Sequence, residues 1–219
     1  MAVSAQDGKL KRDLTHFSGI SVKGAIDLIY IPSDKFYVEI VGKNPEDVIT
    51  SVEDDVLQIK HRKGTNWVSS EWNTLGKGLQ VFVHASGTDL ISSSGSGSIS
   101  IDGIVKADHL TIRMDGAGNV SGQINVGKLE LDHNGSANIR LKGGADKAII
   151  NSNGSGNIQS FELVVDDCTL SKSGSGNAQL TVNVALHASI SGSGNFTYRG
   201  NPKEITTSSA GTGKIKQAQ

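Results

Sequence analysis

Between residues 86 and 219 the chain repeats one arrangement of apolar and polar positions around a glycine. A glycine, a small residue and then Gly or Ala recur as Gly95-Ser96-Gly97, Gly116-Ala117-Gly118, Gly135-Ser136-Ala137, Gly154-Ser155-Gly156, Gly174-Ser175-Gly176, Gly192-Ser193-Gly194 and Gly211-Thr212-Gly213. The first glycines are 21, 19, 19, 20, 18 and 19 residues apart. Aligned on that glycine, the position four before it reads Ile91, Ile112, Leu131, Ile150, Leu170, Ala188, Thr207, and the position six before it reads Asp89, Leu110, Leu129, Ala148, Cys168, Leu186, Ile205. Four positions after it stand Ile99, Val120, Ile139, Ile158, Ala178, Phe196 and Ile215. Spacing by two places side chains on one face of a strand, so each unit predicts a strand before the turn and another after it.

A circuit of about 19 residues with two or three short strands suits one winding of a parallel β-solenoid. Equivalent columns then stack about 4.8 Å apart, and seven turns define six steps of roughly 29 Å. Three positions after the glycine come Ser98, Asn119, Asn138, Asn157, Asn177, Asn195 and Lys214. Asn119, Asn138, Asn157, Asn177 and Asn195 are therefore expected to form a structural ladder along the turns, each amide donating to one neighbour and accepting from the other. The fold class expected is all-β, a single parallel β-helix.

Residues 10–85 lack this frame. They alternate as strands at 26–31, 37–41, 56–60 and 79–83, separated by turn residues such as Pro32-Ser33-Asp34 and Gly42-Lys43-Asn44-Pro45. We read them as the β-rich capping part of the same solenoid, with residues 1–9 a flexible N-terminal segment, because a bare rod end exposes strand edges. Lys214 and Lys216 are suited to blunting the other end. Ala2-Val3-Ser4-Ala5-Gln6 reads like the small-residue tail of a secretory cleavage site.

These features together resemble the DUF2807 family, also described as putative auto-transporter adhesin, head GIN domain. The residues that carry the resemblance are the GSGN-type turns, the opening Arg12-Asp13-Leu14-Thr15-His16-Phe17-Ser18-Gly19-Ile20-Ser21-Val22 with Gly24, the strand Val52-Glu53-Asp54-Asp55-Val56-Leu57-Gln58-Ile59, and the closing Tyr198-Arg199-Gly200-Asn201-Pro202. The resemblance implies a β-helical, extracytoplasmic bacterial protein, in the periplasm or at the cell surface.

Composition narrows the chemistry. Lys+Arg 21 against Asp+Glu 22 leaves a net charge of −1, without the field of a nucleic-acid binder, so no nucleic-acid partner is expected. No stretch approaches the ~20 apolar residues of a membrane span, and no direct membrane insertion is expected. One cysteine, Cys168, forbids an internal disulfide and a Cys-rich zinc site. It falls in an apolar column and is read as a buried, inert thiol. His109, His133 and His187 lie seven, two and five residues before their glycines and do not share a column. With no HExxH pattern, the histidines are read as surface or structural, and no metal is expected. Asp146 and Asp166 share a column beside Asp167, Lys147 and Lys128, which we read as a solvated salt-bridge corner. Asparagine stands where calcium-binding nonapeptide repeats carry aspartate, and no phosphate loop is present, so no cofactor is expected.

Trp67 and Trp72, the only tryptophans, sit in a polar loop at 64–78. They either plug the apolar end of the rod or present indoles to a sugar ring or partner protein, which makes them the ligand-binding candidates. No catalytic set is found. The expected function is a noncatalytic cell-envelope or surface protein, an adhesin or assembly module with a glycan or surface protein as partner and a homo-oligomer as an option. The alternatives are a polysaccharide-binding or carbohydrate-active β-helix and a purely structural oligomerisation module.

Overall fold

The computed structural model describes residues 3–6, 8–62 and 79–218. Its strands are β1 (Val3–Gln6), β2 (Lys9–Asp13), β3 (Gly19–Lys23), β4 (Asp27–Pro32), β5 (Tyr37–Val41), β6 (Val48–Glu53), β7 (Val56–His61), β8 (Gln80–Ala85), β9 (Leu90–Gly95), β10 (Ile99–Gly116), β11 (Val120–Gly135), β12 (Ile139–Gly154), β13 (Ile158–Ser173), β14 (Ala178–Gly192), β15 (Phe196–Arg199), β16 (Glu204–Gly211) and β17 (Ile215–Gln217). All belong to one continuous sheet wound into a β-solenoid. Each regular circuit is one long bent strand running from turn to turn, where the periodicity had suggested two or three short ones.

Successive circuits pair parallel and in register. Val120 faces Ile139, Leu131 faces Ile150 and Gly135 faces Gly154. The apolar columns therefore close over themselves: Leu110, Leu129, Ala148, Cys168 and Leu186 are buried, as are Ile112, Leu131, Ile150, Leu170 and Ala188. At roughly 1.5 to 3 kcal/mol for each large aliphatic side chain fully buried, these columns are the main stabilising term.

The turns stack as closely as backbone allows. Gly116 has φ +150°, and a Cβ there would overlap the carbonyl oxygen of Gly95, which accepts the Ala117 N–H at 2.9 Å. Gly118 needs no unusual φ, yet its Cβ would overlap Gly97 O, so the second glycine is required by the neighbouring winding.

The rod begins before the repeats. β3 pairs with β9, setting Ile20 beside Ile91, and β4 pairs with β10, setting Leu28 beside Ile99, so the turn at Gly24 lies directly next to that at Gly95. The chain leaves the rod after β4, builds β5 to β8, and returns at β9. On the outer side of this first winding β7 and β8 add parallel to β3 and β4. Pairing then switches to antiparallel, β6 on β7, β5 on β8, β2 on β5 and β1 on β2. Arg12 donates to the Val48 carbonyl at 2.7 Å and to Thr50 Oγ1 at 3.0 Å, occupying acceptors on β6. The far end is finished by polarity. Every residue of β16 is exposed; of its inward positions two have become Thr207 and Ser209, whose Oγ donates to Gly213 O at 2.8 Å, and the third, Ile205, remains apolar.

Candidate functional site

An open depression of about 780 Å³ lies on the face formed just after the turns. Its origin is a mismatch in winding length. β10 is longer here than its neighbour, and Ile101–Gly103 stand opposite Gly122 alone. β13 is also longer, and residues 161–163 have no counterpart on β14, where Ser160 and Val164 face the consecutive Leu180 and Thr181. β11 and β12 run in unbroken register between them. Surplus residues bulge outward because the ladder on either side of them stays paired. Two ridges result, Asp102-Gly103-Ile104 on one side and Phe161-Glu162 on the other, roughly 14 Å apart at three strand spacings.

The floor between the ridges is Ser121-Gly122-Gln123 on β11 and Arg140-Leu141-Lys142 on β12. Gly122 has φ +158°, and a Cβ there would strike the Ile101 side chain, so glycine keeps the floor low where the β10 ridge leans over it. Leu141 points into the core while Arg140 and Lys142, on either side of it, point out. Among the described residues neither cation forms an ion pair, whereas Arg113 meets Asp132 at 3.3 Å and Lys128 meets Glu130. Gln159 and Gln179 extend the polar wall. On the second ridge the Arg199 guanidinium covers the Phe161 ring at 4.2 Å, fixing both groups by a contact worth ~0.5–1 kcal/mol at such an exposed place.

A search of curated proteins finds no match to the chain. The family described as "Putative auto-transporter adhesin, head GIN domain", DUF2807, matches residues 16–202. The chain belongs to that family. Among solved structures it resembles a putative adhesin from Bacteroides fragilis at 24% identity and TM-score 0.81, with 96% of each chain covered. A protein from Parabacteroides distasonis described as a putative lipid binding protein matches at 24% identity and TM-score 0.71 over 97% of each chain. A putative adhesin from the same species matches at 21% identity and TM-score 0.71 over 96% of each. At these identities the likeness to solved structures is one of fold.

In this DUF2807 chain Trp67 and Trp72 lie outside the described residues. The turn asparagines form a continuous ladder: Asn138 Nδ2 donates to Asn119 Oδ1 at 3.1 Å, Asn157 Nδ2 to Asn138 Oδ1 at 3.2 Å, and Asn195 Nδ2 to Asn177 Oδ1 at 3.3 Å. Each side-chain oxygen also accepts a backbone N–H, as Asn157 Oδ1 does from Asn177 at 2.9 Å. The ladder runs beyond the asparagines at both ends, since Asp27 Oδ1 accepts the Ser98 N–H at 2.8 Å and Asn195 Oδ1 that of Lys214 at 3.0 Å. Asn177 joins the ladder through its backbone N–H.

At the acidic corner Lys147 and Asp167 are register neighbours without an ion pair among the described residues, and Lys128 turns to Glu130 instead. Cys168 is buried and its thiol is pushed up to about 12 by loss of water, which removes the thiolate needed for nucleophilic chemistry. His133, two before its glycine, is fully buried with Ser152 and Lys172 in one inward column. Sequence reasoning passed over that column, although alternation through positions six and four before the glycine already points the next position inward. The depression was missed as well; its signal was the longer spacing, 21 and 20 residues, flanking two spacings of 19. No group of three or more His, Cys, Asp or Glu suited to a metal occurs among the described residues, and none of their helices is long and apolar enough to cross a membrane.

Proposed function

We propose that this protein is a noncatalytic adhesin or ligand-binding module of the bacterial cell envelope, and that the depression over β11 and β12 is where it engages its ligand. One observation carries the reading: the winding-length mismatch builds a fixed trough whose floor holds two cations and whose walls hold amides. A volume near 780 Å³ lies in the range of small-ligand sites, and all of its floor is mid-sheet backbone, rigid before any ligand arrives.

The carboxylates of the trough argue for binding over hydrolysis. Asp102 and Glu162 stand on opposite ridges, roughly 14 Å apart by strand spacing. Glycosidic cleavage uses two carboxyl groups about 5 to 9.5 Å apart. One structural neighbour is described as lipid binding; here Arg140, Lys142 and three glutamines line the trough, and an acyl chain would leave them desolvated without partners. An envelope location follows the adhesin description of the family.

The test is retention of a panel of glycans and surface proteins on immobilised protein, with the eluate assayed for new reducing ends. Retention without cleavage supports the reading. New reducing ends would make the protein a carbohydrate-active enzyme, and failure to retain any member would remove the adhesin role.

A further inference from the structure

We propose that the depression recognises a carboxylate-bearing saccharide, a short stretch of a uronic-acid glycan, and that Arg140 and Lys142 hold its carboxylate. This rests on the binding-module reading above and gives it a ligand class.

Arg140 and Lys142 flank Leu141 on one strand, so the pleat sends both out of the same face. Ser121 and Gln123, their neighbours on β11, and Gln159, beside Arg140 on β13, are neutral; Glu162, on the ridge next to Lys142, forms no ion pair with it among the described residues. No carboxylate of the protein occupies the floor. A guanidinium fork beside an ammonium fits a planar carboxylate, while the hydroxyl of Ser121 and the amides of Gln123, Gln159 and Gln179 both donate and accept, as sugar hydroxyls require.

Other occupants fit less well. An extended peptide gains most of its affinity by adding to a free strand edge, and here β11 and β12 lie between flanking strands; where the β12–β13 ladder lapses at residues 140–142, Ser160 Oγ accepts the Leu141 N–H at 3.0 Å, so no edge is open. Nucleic acid calls for a strong positive field or open stacking platforms; the chain carries a net charge of −1, and the one aromatic ring of the trough is covered by Arg199. Asp102 and Glu162 on the ridges oppose a polyanion carrying several charges on each unit, while the centre takes the single carboxylate of one uronic-acid unit.

Calorimetric titration with trigalacturonate and with its methyl ester separates the charge from the sugar scaffold. The wild type is expected to bind the acid about tenfold or more tightly than the ester, the worth of a charge-assisted pair, and the difference should shrink as salt is raised. R140Q/K142Q, checked for an unchanged melting profile, should abolish the preference, and K147Q, whose lysine is exposed outside the depression, should keep it. Equal affinity for acid and ester, or a preference that survives R140Q/K142Q, overturns the assignment while leaving the binding module intact. No binding of either trisaccharide by a protein that retains other glycans overturns this inference alone. If the glycan panel also fails, both readings fall.

Discussion

Inside the solenoid His133 Nδ1 lies 3.0 Å from Ser152 Oγ in the next winding, and both side chains are cut off from solvent. Burial holds the imidazole below its ordinary pKa, and Lys172, one winding further along the same column, pushes in the same direction, while the Ala137 carbonyl opposes them. A histidine with a lowered folded-state pKa takes its proton preferentially when unfolded. Its neutral form costs nothing above about 6.5, and stability is lost as pH falls below that value towards the folded-state pKa. His61 and His84, lowered mainly by burial as well, add to the same slope. Urea midpoints between about pH 8 and about pH 5, the range in which histidine changes charge, should fall for the wild type and fall less for His133→Met. An unchanged slope in the variant would show that His133 binds its proton equally well folded and unfolded.

Lys172 occupies the same inward column, is 3% exposed, and its ammonium has no hydrogen-bond partner among the described residues. Its pKa is lowered by desolvation. An ammonium buried without a partner carries a desolvation cost that an apolar side chain of similar length does not, so Lys172→Met should raise the urea midpoint. A lower midpoint would show that the ammonium has stabilising contacts.

Asn138 differs from Asn134 in what depends on it. Asn138 Oδ1 accepts both the backbone N–H and the side-chain amide of Asn157, whereas Asn134 only links the exposed Asp115 and Asn153 side chains. Asn138→Ala leaves a backbone donor unanswered and should cost ~1–3 kcal/mol; Asn134→Ala should cost under ~0.5 kcal/mol. Equal costs in chemical denaturation would argue against the turn ladder as a stabilising element.

Gly118→Ala places a Cβ on the Gly97 carbonyl oxygen in the neighbouring winding. Both atoms belong to backbone held by its own ladder, so the clash cannot be relieved by a rotamer change; a loss of ~3 kcal/mol or more, or failure to fold, is expected. Ala117→Ser, exposed and the commonest middle residue of the motif, should be neutral. Thermal melts of the two variants decide it.

Much of this architecture was legible because the repeats are exact in what they bury. Leu131, Ile150 and Leu170 are inward for the reason that Leu129, Ala148 and Cys168 are: alternation fixes the face, and the glycine fixes the phase. The winding at Gly24 was harder to see. Gly24-Ala25-Ile26 lacks the second glycine, and the strands β5 to β8 separate it from its spatial neighbour, so that Ser98 meets Asp27 across 71 residues. Such an insertion destroys periodicity without disturbing the stack. The trough was hidden differently. Each ridge comes from two or three residues that one neighbouring winding does not match, and their effect appears only when windings are laid side by side. Arg140 reads in sequence as one more exposed position, and the ring of Phe161 gives no hint that Arg199, in another winding, will cover it.

Side-chain amide and guanidinium resonances offer the most direct check that the mismatch in winding length creates the binding site. On titration with trigalacturonate, the side-chain signals of Gln123, Gln159 and Arg140 should shift together and saturate at one affinity, while those of Asn134 and Asn153 on the exposed ladder stay in place. Shifts confined to the ladder asparagines, or no shift in the trough at saturating saccharide, would contradict the account.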